Sequence, residues 1–342
     1  MKSGRRNFLT KTLQTVAVLG GAGLRLRTGP VIFALATLFE SPKSKAQFSQ
    51  SASWRKQGFA IFGSGTITSS DFYATTYKYS LKKYTVTGGT NLSVARYGMA
   101  ATGTYVVGIF GAGLSTGTIF TKTTSKYTYI TDTVAAGTSL VGAGREYLAA
   151  AGNATVGVFA GGTTDGSNGS ALSDVYTYSG DTTAAGTSLG TARYGIAAAG
   201  TATYGIFAGG NTGATVTDQY TYAGNTVAAG TNLNANLYGA AAAGNSGFAL
   251  FGLGITGTYT VTTQKYTYAG STVAAGTNLS NARWIPAAAG NAGIGIFGGG
   301  HNGAAVAFTD QYFYAGDTTA TGTNLSANRM ANSAASTTPG HF

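Results

Sequence analysis

Few side chains in this sequence can do acid–base, nucleophilic or metal chemistry. Cysteine is absent, which removes disulfides, thiolate ligands and a cysteine nucleophile together. There are two histidines, eight aspartates and, beyond residue 47, a single glutamate, Glu146. His341 is the penultimate residue and is expected to be mobile. His301 follows Gly300 in a glycine-rich stretch and reads as a solvated loop residue. Residues 165–170, DGSNGS, are oxygen-rich like a calcium loop but lack the further carboxylates such a loop needs, so they read as a solvated turn. No metal site and no cofactor are expected.

Two recurring features carry more. One is a series of arginines: Arg96, Arg145, Arg193, Arg283 and Arg329, with Leu237 in the remaining place. Beside them stand Tyr97, Tyr194, Tyr238, Trp284 and Met330, with Tyr147 one place later. Guanidinium forks suit carboxylates, and aromatic faces suit sugar rings. The same repetition also suits a structural joint, in which each arginine bonds backbone carbonyls and each ring packs between repeated units. Both roles stay open on the sequence alone. Glu146, next to Arg145, interrupts the series and is the one candidate general base there.

These residues sit in a repeat. Residues 220–233 read YTYAGNTVAAGTNL and residues 266–279 read YTYAGSTVAAGTNL, differing only at Asn225 and Ser271. A Tyr-x-Tyr landmark begins at Tyr77, Tyr127, Tyr176, Tyr220, Tyr266 and Tyr312. A Gly-Thr-(Asn/Ser)-Leu landmark places its glycine at 89, 137, 186, 230, 276 and 322, and an apolar run ends in Phe62, Phe110, Phe159, Phe207, Phe251 and Phe297. Three landmarks agree on six units. Each unit reads as four short strands, being rich in aromatic and β-branched residues between glycine-rich breaks. Gly180-Asp181, Gly224-Asn225, Gly270-Ser271 and Gly316-Asp317 are expected to form tight hairpin turns with positive φ at the glycine. The tyrosines and phenylalanines are expected in the core.

Four strands per ~45 residues, six times over, is the pattern of an all-β, six-bladed β-propeller with four antiparallel strands per blade. The residues after Arg329, MANSAAS, align with YGIAAAG after Arg193, and no apolar Phe-Gly strand follows them. Residues 330–336 are therefore expected to join FAIFGSG at 59–65 and close the ring, with Ser51–Ser53 as the weaker alternative. The order of arginine, small apolar strand, apolar strand ending in Gly161-Gly162, Gly209-Gly210 or Gly298-Gly299-Gly300, then Tyr178, Tyr222, Tyr268 or Tyr314, resembles the kelch repeat. The resemblance spans about residues 58–336. It is a divergent one, because Val227 and Val273 stand near the place of the kelch tryptophan. It implies a pocket around the central channel formed by segments entering the innermost strands. The copper site of kelch-type galactose oxidases needs a Tyr-Cys crosslink, which a cysteine-free chain cannot make. Some periplasmic six-bladed kelch proteins are sialic acid mutarotases, so a sugar mutarotase or lyase is an alternative in which Glu146 would act.

The composition sets the context. Charged residues are 9% of the 342 positions and Gly contributes 54, so the surface must be an uncharged coat of Thr, Ser, Asn, Gly and Tyr, more usual outside cells. The net charge of +11 is concentrated at the start: residues 1–47 carry +7 and the rest only +4. Nucleic-acid binding thus has little electrostatic support. The opening SGRRNFLTKT pairs Arg5-Arg6 with Phe8-Leu9 and resembles the bacterial twin-arginine export signal, although Arg25 and Arg27 interrupt its apolar core; Ser44-Lys45-Ala46 offers a cleavage site. Residues 1–47 are read as a leader and 48–342 as one propeller, periplasmic or extracellular, with no transmembrane span. The expected function is non-catalytic recognition of a glycan or a surface protein at the channel mouth by a monomer, through Arg96, Tyr97, Arg145, Tyr147, Arg193, Tyr194, Tyr238, Arg283, Trp284 and Arg329. A purely structural surface or virion component is the remaining alternative.

Overall fold

The computed structural model describes residues 58–336, apart from 69, 117, 118 and 213. The leader, the Ser51–Ser53 alternative and His341 lie outside the described residues. Six four-stranded antiparallel sheets form the fold. Blade 3 shows the pattern, running outward through Ala149–Gly152, Val156–Ala160, Ser173–Thr177 and Thr182–Ala185. The innermost strands pack side by side in a closed circle, from Ser333–Ser336 through Ala100–Gly103, Ala149–Gly152, Ala197–Gly200, Ala241–Gly244 and Ala287–Gly290 and back. Alanine and glycine dominate them because six inner strands converge there. No helix among the described residues is long and apolar enough to cross a membrane.

The ring closes at the expected joint: Ser333–Ser336 pairs antiparallel with Phe59–Gly63, matching Phe62 with Ala334. All six landmark phenylalanines are fully buried, and of the landmark tyrosines only Tyr222 is half-buried. Each phenylalanine packs on a neighbouring blade, as Phe159 does against Gly111 and Phe62 against Gly298.

The Gly-Thr-(Asn/Ser)-Leu glycines have a steric cause. A Cβ on Gly137 would stand 2.7 Å from the Tyr176 hydroxyl, one on Gly276 2.8 Å from that of Tyr312, and one on Gly322 2.7 Å from that of Tyr79. Each glycine accommodates the tyrosine of the next blade, so the two landmarks are halves of one inter-blade joint.

Two expectations need correction. Blade 1 is slid by two residues: Tyr77 pairs with Phe62 and Tyr79 with Ala60, whereas Tyr176 pairs with Gly157, two residues before Phe159. Tyr79 is thus the structural counterpart of Tyr127 and Tyr176, and Leu81 takes the place of the second tyrosine. A two-residue slip keeps each side chain on its own face, so the burial pattern cannot reveal it. The hairpin turns also differ, because positive φ falls on Asp181 (50°), Asn225 (49°), Ser271 (49°) and Asp317 (48°), and among their glycines only on Gly270. Asp and Asn visit this region at modest cost, and here their side chains also bond outward. Asn225 Oδ1 accepts from the Tyr220 hydroxyl and, at 3.0 Å, from the Thr187 N–H of the preceding blade. Asp132, Asp181 and Asp317 make the same latch.

Ser271 is too short for this role, and the Tyr266 hydroxyl is left without a partner. Ser271→Asn should therefore supply acceptors for Tyr266 and the Thr231 N–H and stabilise the fold by about 1 kcal/mol, since a net hydrogen bond contributes on that order. Chemical denaturation of the two chains checks it; an unchanged midpoint would count against the latch.

Candidate functional site

The arginines come first because they precede five of the six innermost strands. All five are buried, four of them completely. Four of the guanidinium groups turn into the blade and cap the carbonyl of the landmark phenylalanine: Arg96 Nη2 donates to Phe110 O at 3.2 Å, Arg145 to Phe159 O at 3.1 Å, Arg193 to Phe207 O at 3.0 Å and Arg283 to Phe297 O at 2.9 Å. A third-strand carboxylate completes three of these sites: Asp174 lies 2.6 Å from Arg145, Asp218 2.7 Å from Arg193 and Asp310 2.5 Å from Arg283. The equivalent of the aspartate is Ser125 beside Arg96 and Tyr77 beside Arg329, whose guanidinium stacks on Tyr73 at 3.8 Å. In blade 5 the arginine and the carboxylate are replaced together, by Leu237 and Gln264. The arginines are thus held inside their blades, and the rings beside them are the side chains left half-exposed at the channel mouth.

Those rings surround the channel mouth. Directly below them lies a closed circle of six backbone hydrogen bonds, one per blade. Gly98 N–H donates to Ala331 O (2.9 Å), Tyr147 to Gly98 (2.7 Å), Gly195 to Tyr147 (2.8 Å), Gly239 to Gly195 (2.8 Å), Ile285 to Gly239 (2.8 Å) and Ala331 to Ile285 (3.0 Å). All point the same way round, so each polarises the next. All six residues have positive φ, from 46° at Ile285 to 66° at Gly195. For Ile285, Ala331 and Tyr147 this costs roughly 1–2 kcal/mol each. Glycine at the other places also makes room: a Cβ on Gly239 would stand 1.8 Å from Trp284 Nε1, and one on Gly195 2.3 Å from the Tyr238 ring.

Above this circle the aromatic side chains form two half-exposed arcs. Tyr194 meets Tyr238 edge-on at 5.7 Å, Tyr238 meets Trp284 at 5.6 Å, and Trp284 meets His301 at 6.4 Å. His301 in turn meets Tyr259, whose hydroxyl lies 3.0 Å from His301 Nδ1. On the other side Phe72 stacks on Tyr97 at 5.5 Å and Tyr97 tilts against Tyr147 at 6.0 Å. Phe72, Tyr259 and His301 extend the arcs beyond the residues foreseen. His301 was legible: it stands four residues after Phe297, as Leu114 and Thr163 do after Phe110 and Phe159, and each of these positions pairs with the mouth residue of its blade. The channel beneath is a cavity of about 60 Å³ lined by Met99, Leu148, Ile196, Pro286 and Asn332 among others. Small-molecule pockets run to roughly 300–1,000 Å³, so this channel is too small to enclose a molecule of that class.

Glu146 stands where the other blades carry a ring or Met330, and Tyr147 takes the circle position. It is buried, and its Oε2 has no hydrogen-bond partner. Burial pushes its carboxyl up to about 7, partly offset by the nearby Tyr97 hydroxyl. Burial and the Glu146 charge raise Tyr97 in turn to about 12. Elsewhere, Asp165 closes its own turn with Ser167 N–H (2.8 Å), Asn168 N–H (2.7 Å) and Asn168 Nδ2 (2.7 Å). No group of three His, Cys, Asp or Glu among the described residues could hold a metal.

Six blades around a narrow channel, with aromatic side chains at one mouth, define a six-bladed β-propeller. Its fold is shared with a solved protein, YjhT, at a TM-score of 0.59 and 11% identity over 71% of this chain and 88% of that one. No protein-family model and no curated protein sequence matches the chain.

Proposed function

We propose that this chain is an exported, non-catalytic binding propeller, of a divergent kelch type, that recognises a glycan at its aromatic mouth. The observation carrying this reading is the Tyr194–Tyr238–Trp284 arc, three half-exposed rings each in contact with the next, over a channel too small to engulf a ligand. Such faces pack against the C–H faces of sugars without needing charge. The hydroxyl-rich coat and the Arg5-Arg6 leader motif support export. A glycan array probed with the full chain should give selective binding that falls at least about ten-fold when Tyr194 and Trp284 are both replaced by alanine. No binding to any glycan, together with capture of a defined surface protein by the same mouth, would replace the sugar by a protein partner.

One observation favours a second reading. The buried carboxyl of Glu146, whose Oε2 has no partner, has the proton affinity of a general acid–base group working near neutral pH. A sugar mutarotase-type activity would use it as a general acid–base group: the anomeric hydroxyl loses a proton and the ring oxygen gains one as the bond between C1 and the ring oxygen opens, and the reverse transfers on closure give the other anomer. That reading predicts an anomer interconversion, followed by NMR, that Glu146→Gln abolishes. The binding reading predicts no acceleration in either chain.

A further inference from the structure

The mouth is chemically lopsided. One blade contributes a carboxyl where its neighbours contribute a ring or Met330. Glu146 is 5% exposed and its Oε2 lacks a partner. That oxygen faces the hydrogen-bonded circle, 3.4 Å from where a Cβ on Gly98 would lie. The carboxyl's charge reaches Tyr97, Tyr147 and Tyr238, rings on three different blades. Among the described residues Glu146 makes no salt bridge. The adjacent Arg145 is turned away, held by Asp174, Gly161 O and Phe159 O inside the blade. A carboxylate among negative π faces, with no protein cation beside it, complements an ammonium group, because anion and ring faces attract it together. Any ion pair formed there is shielded from water and is correspondingly strong.

We infer that the mouth selects glycans carrying a free amino group, the sugar face resting on Tyr194, Tyr238 and Trp284 and the ammonium seated against Glu146 between Tyr97 and Tyr147. This rests on the glycan reading above and narrows it to amino sugars. Glu146 is nearly enclosed, so reaching Oε2 requires a local side-chain movement at the mouth. An N-acetylated sugar offers the same face but no charge, so it forfeits the carboxylate contact and leaves Oε2 unpartnered.

Isothermal titration of the full chain near pH 7 tests this with three probes: the β-1,4-linked tetramer of glucosamine, its fully N-acetylated counterpart and a trilysine peptide. The expected result is binding of the amino tetramer about ten-fold tighter than of the acetylated one. Glu146→Gln should bring the two sugars to similar affinity. Glu146→Tyr, which installs the residue type of neighbouring blades, should do the same and guards against a folding defect in the first variant. Equal affinity of wild type for both tetramers would overturn the amino-sugar assignment while leaving the glycan reading intact. No binding of either tetramer would also overturn the amino-sugar assignment, while the glycan reading itself stands or falls on the array. Trilysine binding as tightly as the amino tetramer would transfer the ammonium to a protein partner and overturn the assignment.

Discussion

Replacing Asp174 with asparagine should destabilise the propeller by about 3–5 kcal/mol, the cost of stripping one partner from a buried ion pair. The aspartate and Arg145 are both fully buried, and their charged groups meet at 2.6 Å. Asparagine keeps an acceptor for the Val141 and Gly142 N–H groups, which now bond Asp174 Oδ1 at 3.0 and 2.7 Å. Its amide would nevertheless turn an N–H toward the guanidinium in place of a negative oxygen. Arg145 would then be charged, dry and uncompensated, while still bound to Phe159 O and Gly161 O. Arg96 shows the strain of that condition: with Ser125 where the carboxylate would be, burial lowers it to about 10. Since whole domains retain only about 5–15 kcal/mol of stability, the loss should be plain in denaturant unfolding as a lower midpoint at unchanged slope. A loss below about 1 kcal/mol would mean that the backbone carbonyls alone hold the arginine.

Glu146 should make the protein less stable at pH 8 than at pH 5, by roughly 2–3 kcal/mol relative to a Glu146→Gln variant. The sign follows from the direction of the shift. The folded chain raises this carboxyl from 4.5 to about 7, so it binds the proton more tightly than the unfolded chain does. Its contribution is complete below pH 4.5 and is lost as pH rises toward 7. Asp132, Asp181 and Asp317 act oppositely. Burial works against their ionisation, but hydrogen bonds from lysines and threonine N–H groups outweigh it and hold them below the usual range. Their contribution is lost as pH falls. Comparing the two chains at each pH cancels those aspartates and isolates Glu146. Parallel stability curves from pH 4.5 to 8 would show that Glu146 is solvated and that the mouth is wetter than described.

The repeat made most of the architecture legible. Six phenylalanines and six glycine landmarks count the blades, and MANSAAS after Arg329 marks the closing strand. What escaped was what period and spacing do not encode. The two-residue slip of blade 1 preserves the facing of every side chain, so Tyr77 looked equivalent to Tyr127. The turn glycines drew attention from Asp181 and Asn225, which take the unusual φ themselves because their side chains gain inter-blade bonds. The arginines were a fair candidate for the ligand face. Their partners lie on the third strand, and a residue such as Asp174 is 29 positions from Arg145 with no local mark linking the two. The hydrogen-bonded circle was hidden because Tyr147, Ile285 and Ala331 occupy places where glycine would have announced positive φ.

Hydrogen exchange of the full chain, with and without a glycan selected on the array, tests the placement of the binding face most directly. Slowed exchange is predicted at 97–99, 146–148, 194–196, 238–240 and 284–286, the segments carrying the rings and the circle beneath them. Protection confined to the outer strands Thr133–Gly137 and Thr226–Ala229 would contradict it and place recognition on the rim of the blades.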